Sequence, residues 1–406
     1  MRKRKEYVWL MPAGQMQRPA VEYLKSKGFG IILCDAQQNP AIYSLADKII
    51  RADIFNHEDF LDNIIRLKND YNIISAFTVS ADCHYPIAYV AEKLNFRVTW
   101  DTNISKICKQ KDETRLFLQG ICQQPCFITA DKFEDIRLNR NILLEKEVVM
   151  KPVDSSGSRG FQEFKGIDSI TNTDFQLTLS KSRTKKVIIE EKISRSIRYL
   201  SEISAEAVWY NDAVKITNIV DRIFTFDLPK IKPLNQFIGH TNNSCIEYGH
   251  INPSLLPTEK TEEIHKIFRK IFEKLNPSSI TTLKLDILID QKDRPIVLEM
   301  TPRTSGGWDS SYSNIAVGGN LQKTLLDYVT RQKNEVETYE NVSSVYDAAK
   351  RICILAAPKS NAQDCIGREF FSGQTHNLNV KTDVLVSSAL EKMKSGETIY
   401  ETEIKY

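Results

Sequence analysis

The chain has 406 residues, of which 41% are hydrophobic and 26% are charged, and its formal net charge is +3. This composition is typical of a soluble globular protein with two or three domains. It argues against a nucleic-acid partner or a membrane span, since no long basic tract and no apolar run of roughly 18 residues occur. The eight cysteines are scattered without metal-ligand spacing, which predicts free thiols and a cytoplasmic protein.

Strands and helices alternate over residues 1–102, which are predicted to form the first domain. The apolar run in MRKRKEYVWLMPAG is too short for a signal peptide and fits a first strand, and the next helix begins near Pro19 and ends at Gly28. The following segments alternate as strand and helix: GIILCD (30–35), HEDFLDNIIRLKND (57–70), IISAFTVS (73–80), DCHYPIAYVAEKLN (82–95) and FRVTW (96–100). This order predicts a Rossmann-like parallel sheet, and the absence of GxGxxG argues against a dinucleotide ligand.

A strand-rich α+β body is predicted over residues 103–335, with a lid lobe at about 122–189. Two short helices in NISKICKQKDETRLFLQG precede the lid lobe, and a long helix is predicted at 258–275. The predicted strands are EVVMKP, KKVIIEEKI (185–193), SEISAEAVWY (201–210), VKITNIVDRIFTF (214–226), TTLKLDILID (281–290) and PIVLEM (295–300). Residues 336–406 are predicted to form a small C-terminal α/β domain.

One loop of this body joins a cation to a run of small residues. The strand VVMKP carries Lys151, and DSSGSRG follows before Phe161. The lysine precedes the loop, so the order is not that of a Walker loop. Small residues let backbone N–H groups close over phosphate oxygens, and Lys151 supplies a point charge. A mobile hairpin with a solvated Arg159 is the alternative that this stretch leaves open.

Two acids interrupt apolar runs on adjacent predicted strands. Asp286 lies in TLKLDILID and Glu299 in PIVLEM, and an unpaired charge inside such runs would be costly. Neighbouring strands lie roughly 5 Å apart, so the two carboxylates can share Mg²⁺, which takes its other ligands from water and substrate phosphates. Arg303 would add a guanidinium beside the metal. The alternative is a buried ion-pair group of these acids with Lys284 and Arg303.

These motifs resemble the ATP-grasp superfamily over about residues 5–335. In chain order they are Lys111, Lys151-Pro, SSGSRG, IIEEKI, EISAE, LKLD and LEMTPR. The nearer resemblance is to the carboxylate–amine ligase branch, with carbamoyl-phosphate synthase, biotin carboxylase and purine-pathway enzymes. It implies an α/β plus α+β fold in which a Rossmann-like parallel-sheet domain precedes a two-lobed ATP-grasp body and a small C-terminal domain.

The resemblance also implies site residues. The cofactor-binding set is Lys111 (with Lys109 as runner-up), Lys151, Ser155, Ser156, Gly157, Ser158, Gly160, Glu190, Glu191, Lys192, Ile193 and Glu202. Within this set the segment 190–193 would hold adenine and Glu202 the ribose. The metal ligands implied are Asp286, Glu299 and Thr301, and the catalytic cations are Arg303, Lys151 and Arg222.

Three positions depart from the family pattern. Thr301 stands where the family usually has Asn, so a metal would lose an amide ligand or gain a hydroxyl. Asp286 is shorter than the common Glu. The segment SRSIRYL (194–200) lengthens the connection to Glu202 and leaves the ribose assignment open.

The function implied by the resemblance is an ATP- and Mg²⁺-dependent ligase that joins a small-molecule carboxylate to an amine through an acyl phosphate, with Mn²⁺ as a substitute metal and a homodimer as one oligomeric option. The alternatives are a regulatory nucleotide-binding module and a bicarbonate-phosphorylating enzyme. Arg222 would approach the acyl phosphate, or else pair with Asp221 or Asp227. His240 and the loop 305–313 are further candidates for contacts with a substrate; for the histidine, a structural role in the loop is the alternative.

Overall fold

The protein is described by a computed structural model over residues 4–155, 159–200, 202–224, 227, 247–305, 313–348, 351–358 and 368–375. Several residues of the sequence analysis lie outside this range: Ser156, Gly157, Ser158, His240 and most of the loop 305–313. Across the described ranges, no helix combines the length and the apolar character that crossing a membrane requires.

A four-stranded parallel sheet forms the N-terminal part. Its strands are β1 Glu6–Leu10, β2 Gly30–Asp35, β3 Lys48–Arg51 and β4 Asn72–Phe77, in the order β3-β2-β1-β4. The helices of this part are α1 Arg18–Ser26, α2 His57–Leu67 and α3 His84–Leu94. The predicted alternation of strand and helix around a parallel sheet is therefore confirmed.

Residues 96–100 do not form the predicted strand. The preceding helix, α3, is followed by Asn95 in the left-handed conformation (φ 55°), and the chain then runs into the body. There the Thr282 N–H donates to the Thr99 carbonyl at 3.0 Å, and the buried Trp100 indole donates to the His84 carbonyl at 3.0 Å. The apolar side chains of this segment thus reflect burial at a junction.

The strand β3 was not predicted.

Two helices, α4 Thr102–Lys109 and α5 Lys111–Leu118, lead into a four-stranded antiparallel sheet. Its strands are β5 Phe127–Ala130, β6 Val148–Pro152, β7 Gln162–Phe164 and β8 Val187–Glu191, in the order β5-β8-β6-β7. The helices α6 Phe133–Asn139 and α7 Asn172–Ser180 contribute Ile136 and Phe175 to a small core on this sheet. We call this unit, residues 127–191, the small lobe.

A seven-stranded antiparallel sheet forms the centre of the body. Its strands are β9 Glu202–Tyr210, β10 Ala213–Phe224, β11 Glu247–Asn252, β12 Thr281–Ile289, β13 Pro295–Thr301, β14 Arg351–Pro358 and β15 Arg368–Thr375, in the order β13-β12-β9-β10-β11-β14-β15. The helix α8 Thr258–Leu275 has the predicted bounds and buries Phe268 and Phe272 in the main core. The described residues after β13 also form the helices α9 Asn314–Ala316, α10 Leu321–Val329 and α11 Glu335–Asn341.

The fold is thus a parallel α/β sheet followed by an α+β body with two antiparallel sheets, as predicted. Two strands from the C-terminal part, β14 and β15, extend the central sheet through the pairing of β14 with β11. The predicted domain boundaries at 102 and 335 remain predictions.

Candidate functional site

A cavity of about 280 Å³ lies where the small lobe meets the central sheet. Many of the predicted site residues line it: Lys111, Lys151, Ser155, Glu190, Glu191, Lys192, Ile193, Glu202, Arg222, Asp286 and Glu299. These residues come from α5, both antiparallel sheets and the segment after β8. The fold therefore gathers side chains that lie as far as 188 positions apart, from Lys111 to Glu299, around one space.

The two predicted metal-binding acids face each other. Asp286 on β12 is the register partner of Glu299 on β13, so their side chains leave the same face of the sheet. Lys284 donates to Asp286 at 2.5 Å and Arg222 donates to it at 3.2 Å. Glu299 lies 3.4 Å from the Lys111 ammonium. Each acid therefore has a cationic partner.

The oxygen donors of this face fit Mg²⁺. Thr301 follows Glu299 by two residues on β13, so it shares that face, and its buried hydroxyl has no hydrogen-bond partner. Within the described ranges, no three or more His, Cys, Asp or Glu side chains form a metal cluster. A cation held here would take its other ligands from phosphate or water, which is how Mg²⁺ is usually bound.

The small-lobe lysine Lys151 has a buried carboxylate partner. Its ammonium lies 2.5 Å from Glu190, whose other oxygen accepts from the Arg115 Nε at 2.7 Å. Burial alone would raise the pKa of Glu190, but the charges of Arg115 and Lys151 lower it to about 2. Glu190 is therefore an ionised group bound between two cations. Arg115 was not predicted, because a single arginine in the short helix KDETRLFL forms no recognisable motif.

The predicted adenine segment, 190–193, is held by contacts to other residues of the small lobe. The Glu191 carboxylate accepts from the Lys146 ammonium at 2.7 Å, and the Lys192 N–H donates to the Glu147 carbonyl at 2.8 Å. The Lys192 ammonium lies 2.7 Å from Glu163. Ile193 lines the cavity beside them.

Glu202, the predicted ribose ligand, lies close to the metal-binding acids. It accepts from Arg195 at 2.8 Å and lies 3.9 Å from Arg222, which also contacts Asp286. Burial raises the pKa of Glu202, and the two arginines oppose that shift. Arg195 comes from the unusual segment 194–200, and sequence reasoning did not single it out. The ribose role of Glu202 remains a prediction.

Arg303 is not among the residues that line the cavity. Its guanidinium is buried, donating to Asp82 at 2.5 Å and to the Thr304 carbonyl at 2.7 Å. Burial alone would lower its pKa, but the charge of Asp82, followed by those of Asp286 and Glu299, raises it. Arg303 thus feels the negative charges of Asp286 and Glu299, while its closest contact is to Asp82 in the N-terminal part. Its predicted catalytic role remains untested.

The two candidate lysines of the α4–α5 junction differ in position. Lys111 lines the cavity and donates to the Ser155 carbonyl at 2.6 Å. Lys109 instead lies over the Tyr85 ring, 4.7 Å from its centroid. Gly160, at the other end of the loop, has φ +76° and lies against Pro152. Of the two lysines, Lys111 is therefore the one that lines the cavity, and its role stays a prediction.

No protein-family model and no curated protein matches this sequence. Solved structures do match its fold. The L-amino acid ligase from Bacillus licheniformis has a TM-score of 0.65 at 15% identity, covering 88% of this chain and 81% of that one. Phosphoribosylglycinamide synthetase from Anaerococcus prevotii has a TM-score of 0.64 at 16% identity, covering 95% and 98%.

A third match is the biotin carboxylase domain dimer of the 2-oxoglutarate carboxylase from Hydrogenobacter thermophilus, solved with ADP, its magnesium salt and bicarbonate. It has a TM-score of 0.62 at 12% identity and covers 87% of this chain and 75% of that one. At these identities the likeness is one of fold. This chain shares its fold with these three solved structures, which is the fold that the resemblance to the ATP-grasp superfamily predicted.

Proposed function

We propose that the protein is an ATP- and Mg²⁺-dependent ligase that joins a small-molecule carboxylate to an amine. The observation that carries the proposal is the pairing of Asp286 with Glu299 in one cavity with Lys111 and Lys151. Lysines that would meet phosphates and carboxylates that would hold a metal are the groups that a magnesium–nucleotide substrate would require. The structural relatives include a ligase and a magnesium–ADP complex, which supports the same reaction class and cofactors.

The chemistry explains why such a site is needed. A carboxylate does not react with an amine until its oxygen has become a good leaving group, which phosphorylation by ATP achieves. Phosphoryl transfer depends mainly on positioning and on neutralising phosphate charge. Lys111 and Lys151 supply fixed positive charge at the cavity wall, and Arg222 adds a guanidinium beside Asp286. Mg²⁺, when bound by Asp286, Glu299 and Thr301, would supply further charge neutralisation.

An acyl phosphate in this cavity must be protected from water, which otherwise hydrolyses it before the amine attacks. In the small lobe, Ser155 follows Lys151, and its carbonyl accepts from the Lys111 ammonium at 2.6 Å, which places this part of the lobe at the cavity. Nucleotide binding by this lobe and metal binding by the central sheet are thus two parts of one proposal.

The test is formation of ADP and phosphate from ATP and Mg²⁺ with pooled carboxylic acids, including bicarbonate, and pooled amines. We expect one acid–amine pool to stimulate ADP release, and Glu299→Gln to lower turnover by about 10²-fold or more. The control is Glu262→Gln, which removes an exposed carboxylate on α8 and should leave the rate unchanged. No stimulation by any pool, or full activity of Glu299→Gln, would refute ligation. Stimulation by bicarbonate without an amine would identify the bicarbonate-phosphorylating alternative.

A regulatory nucleotide-binding module is the second candidate. It is favoured by Thr301 in place of the family's usual amide and by the two cations that contact Asp286. ATP would then raise the thermal unfolding temperature without any turnover in the same pools. Binding with turnover would exclude this candidate.

A further inference from the structure

Arg115 is an arginine with no exposed surface, and its guanidinium contacts groups next to the cavity. Its Nε donates to Glu190 at 2.7 Å. Its Nη1 and Nη2 donate to the carbonyls of Val297 and Leu298 at 2.9 and 2.7 Å. A buried guanidinium is costly unless it is paired and hydrogen-bonded, and here it is both.

These contacts join two groups of the proposed site that belong to different sheets. Glu190 is on β8 of the small lobe and holds the ammonium of Lys151. Val297 and Leu298 directly precede Glu299 on β13 of the central sheet. The same helix that carries Arg115 begins with Lys111, which contacts Glu299. One side chain therefore touches both the partner of a nucleotide lysine and the strand of a metal-binding acid.

The charges of this group have a direct consequence for phosphate binding. Arg115 and Lys151 carry one positive charge each and Glu190 one negative charge, which leaves a net charge of +1 next to the cavity. Without Arg115, the Lys151–Glu190 pair would be neutral, and a phosphate would meet an ammonium already balanced by a carboxylate. Charges act strongly at such a site because it is largely shielded from water.

We propose that Arg115 is a positioning residue that balances the charge of Glu190, so that Lys151 presents net positive charge to the nucleotide. Its guanidinium also holds the backbone that precedes Glu299. The inference rests on the proposed function, because it needs a nucleotide in this cavity. Arg115 thus has two roles: an electrostatic role through Glu190 and Lys151, and a positional role through the two carbonyls of β13.

The electrostatic role is tested with a double-mutant cycle and a readout that does not need turnover. Binding of metal-free ATP is measured by isothermal titration calorimetry for wild type, Arg115→Met, Glu190→Gln and the double variant. Arg115→Met should weaken binding roughly tenfold, since one unit charge near the phosphates is lost. The double variant removes both charges and keeps the net +1, so its affinity should return to within about threefold of wild type.

A purely structural role of Arg115 predicts a different order of ATP affinities among the variants. Loss of two buried partners would then make the double variant bind ATP no better than Arg115→Met, and that result would overturn the inference. Arg66→Met is the matched control: it removes an exposed cation of α2 that does not line the cavity and should leave affinity unchanged. Failure of wild type to bind ATP would refute the proposed function itself, a result distinct from failed rescue.

Arg115→Lys tests the positional role and also serves if Arg115→Met does not fold. A lysine keeps the positive charge beside Glu190 but lacks the planar guanidinium that reaches two carbonyls at once. ATP affinity should stay within about threefold of wild type while turnover falls at least roughly tenfold, because the strand before Glu299 loses its support. A parallel loss of both, or of neither, would contradict the inference.

Discussion

His84 lies at the start of α3 with 2% of its surface exposed, which makes the stability of the protein depend on pH. Burial is the main cause that lowers the pKa of this imidazole from 6.5 to about 4; Asp82 opposes the shift, and Arg303 and Lys109 add to it. The unfolded chain therefore takes up this proton first as the pH falls. The contribution of the neutral His84 to stability is fully present above pH 6.5 and is lost as the pH falls towards the folded-state pKa of about 4.

The size of the effect follows from the two pKa values. A difference of about 2.5 units corresponds to a loss of about 3 kcal/mol in the free energy of unfolding once the pH lies below both values. Between pH 7 and pH 5, where the unfolded imidazole becomes charged and the folded one stays neutral, the loss is about 2 kcal/mol. That is a large part of a typical stability of about 5–15 kcal/mol.

The assay is urea unfolding at pH 7 and pH 5, followed by tryptophan fluorescence. In His84→Gln, which carries no titratable ring, the loss of stability between these pH values should be smaller than in wild type by about 2 kcal/mol. The control is His57→Gln, because the His57 side chain keeps about a third of its surface in water. An equal pH dependence in wild type and His84→Gln would refute the reasoning.

Two further predictions concern single contacts. In Gly160→Ala the new Cβ would lie 3.0 Å from Pro152 at φ +76°. The free energy of unfolding, measured by thermal unfolding, should fall by about 1–2 kcal/mol. The control is Gly166→Ala, which should be near neutral because Gly166 has extended backbone and the nearest atom to the new Cβ, the Lys146 carbonyl oxygen, lies at 4.0 Å. Asp82→Asn leaves the buried Arg303 without its carboxylate. This substitution should lower the free energy of unfolding in urea by about 1–2 kcal/mol. The loss is smaller than for a fully buried pair because Asp82 is partly exposed. Additive effects of Asp82→Asn and Arg303→Met would show that the pair is not coupled.

The regular elements could be predicted where one periodicity ran without interruption. The helix at 258–275 has a polar and an apolar face along its whole length, and both of its ends were predicted correctly. The segment 96–100 has the composition of a strand, but its burial comes from the junction with the body. The strand β3 is short and alternates between half-buried and exposed residues, so it had little hydrophobic signal to detect.

The candidate site could be predicted only where a side chain interrupts a pattern. Asp286 and Glu299 stood out because a carboxylate inside an apolar run needs a reason. Arg115 lies in a helix where an arginine is ordinary, and its burial follows from the packing of α5 between the small lobe and β13. The contact of Arg303 with Asp82 joins residues 221 positions apart, and no local spacing reveals such a contact.

The ion pairs explain how the cavity can contain opposed carboxylates when no metal is bound. Two unit charges roughly 5 Å apart at an effective dielectric constant near 20 repel by about 3 kcal/mol, which would disfavour the pairing of β12 with β13 at this position. Lys284 and Arg222 beside Asp286, and Lys111 beside Glu299, offset this repulsion. The cations proposed to meet phosphate are therefore partly the counter-ions of the acids proposed to meet the metal. A magnesium–nucleotide complex would supply both signs of charge at once, so each group would exchange one opposite charge for another and none would be left buried and unpaired.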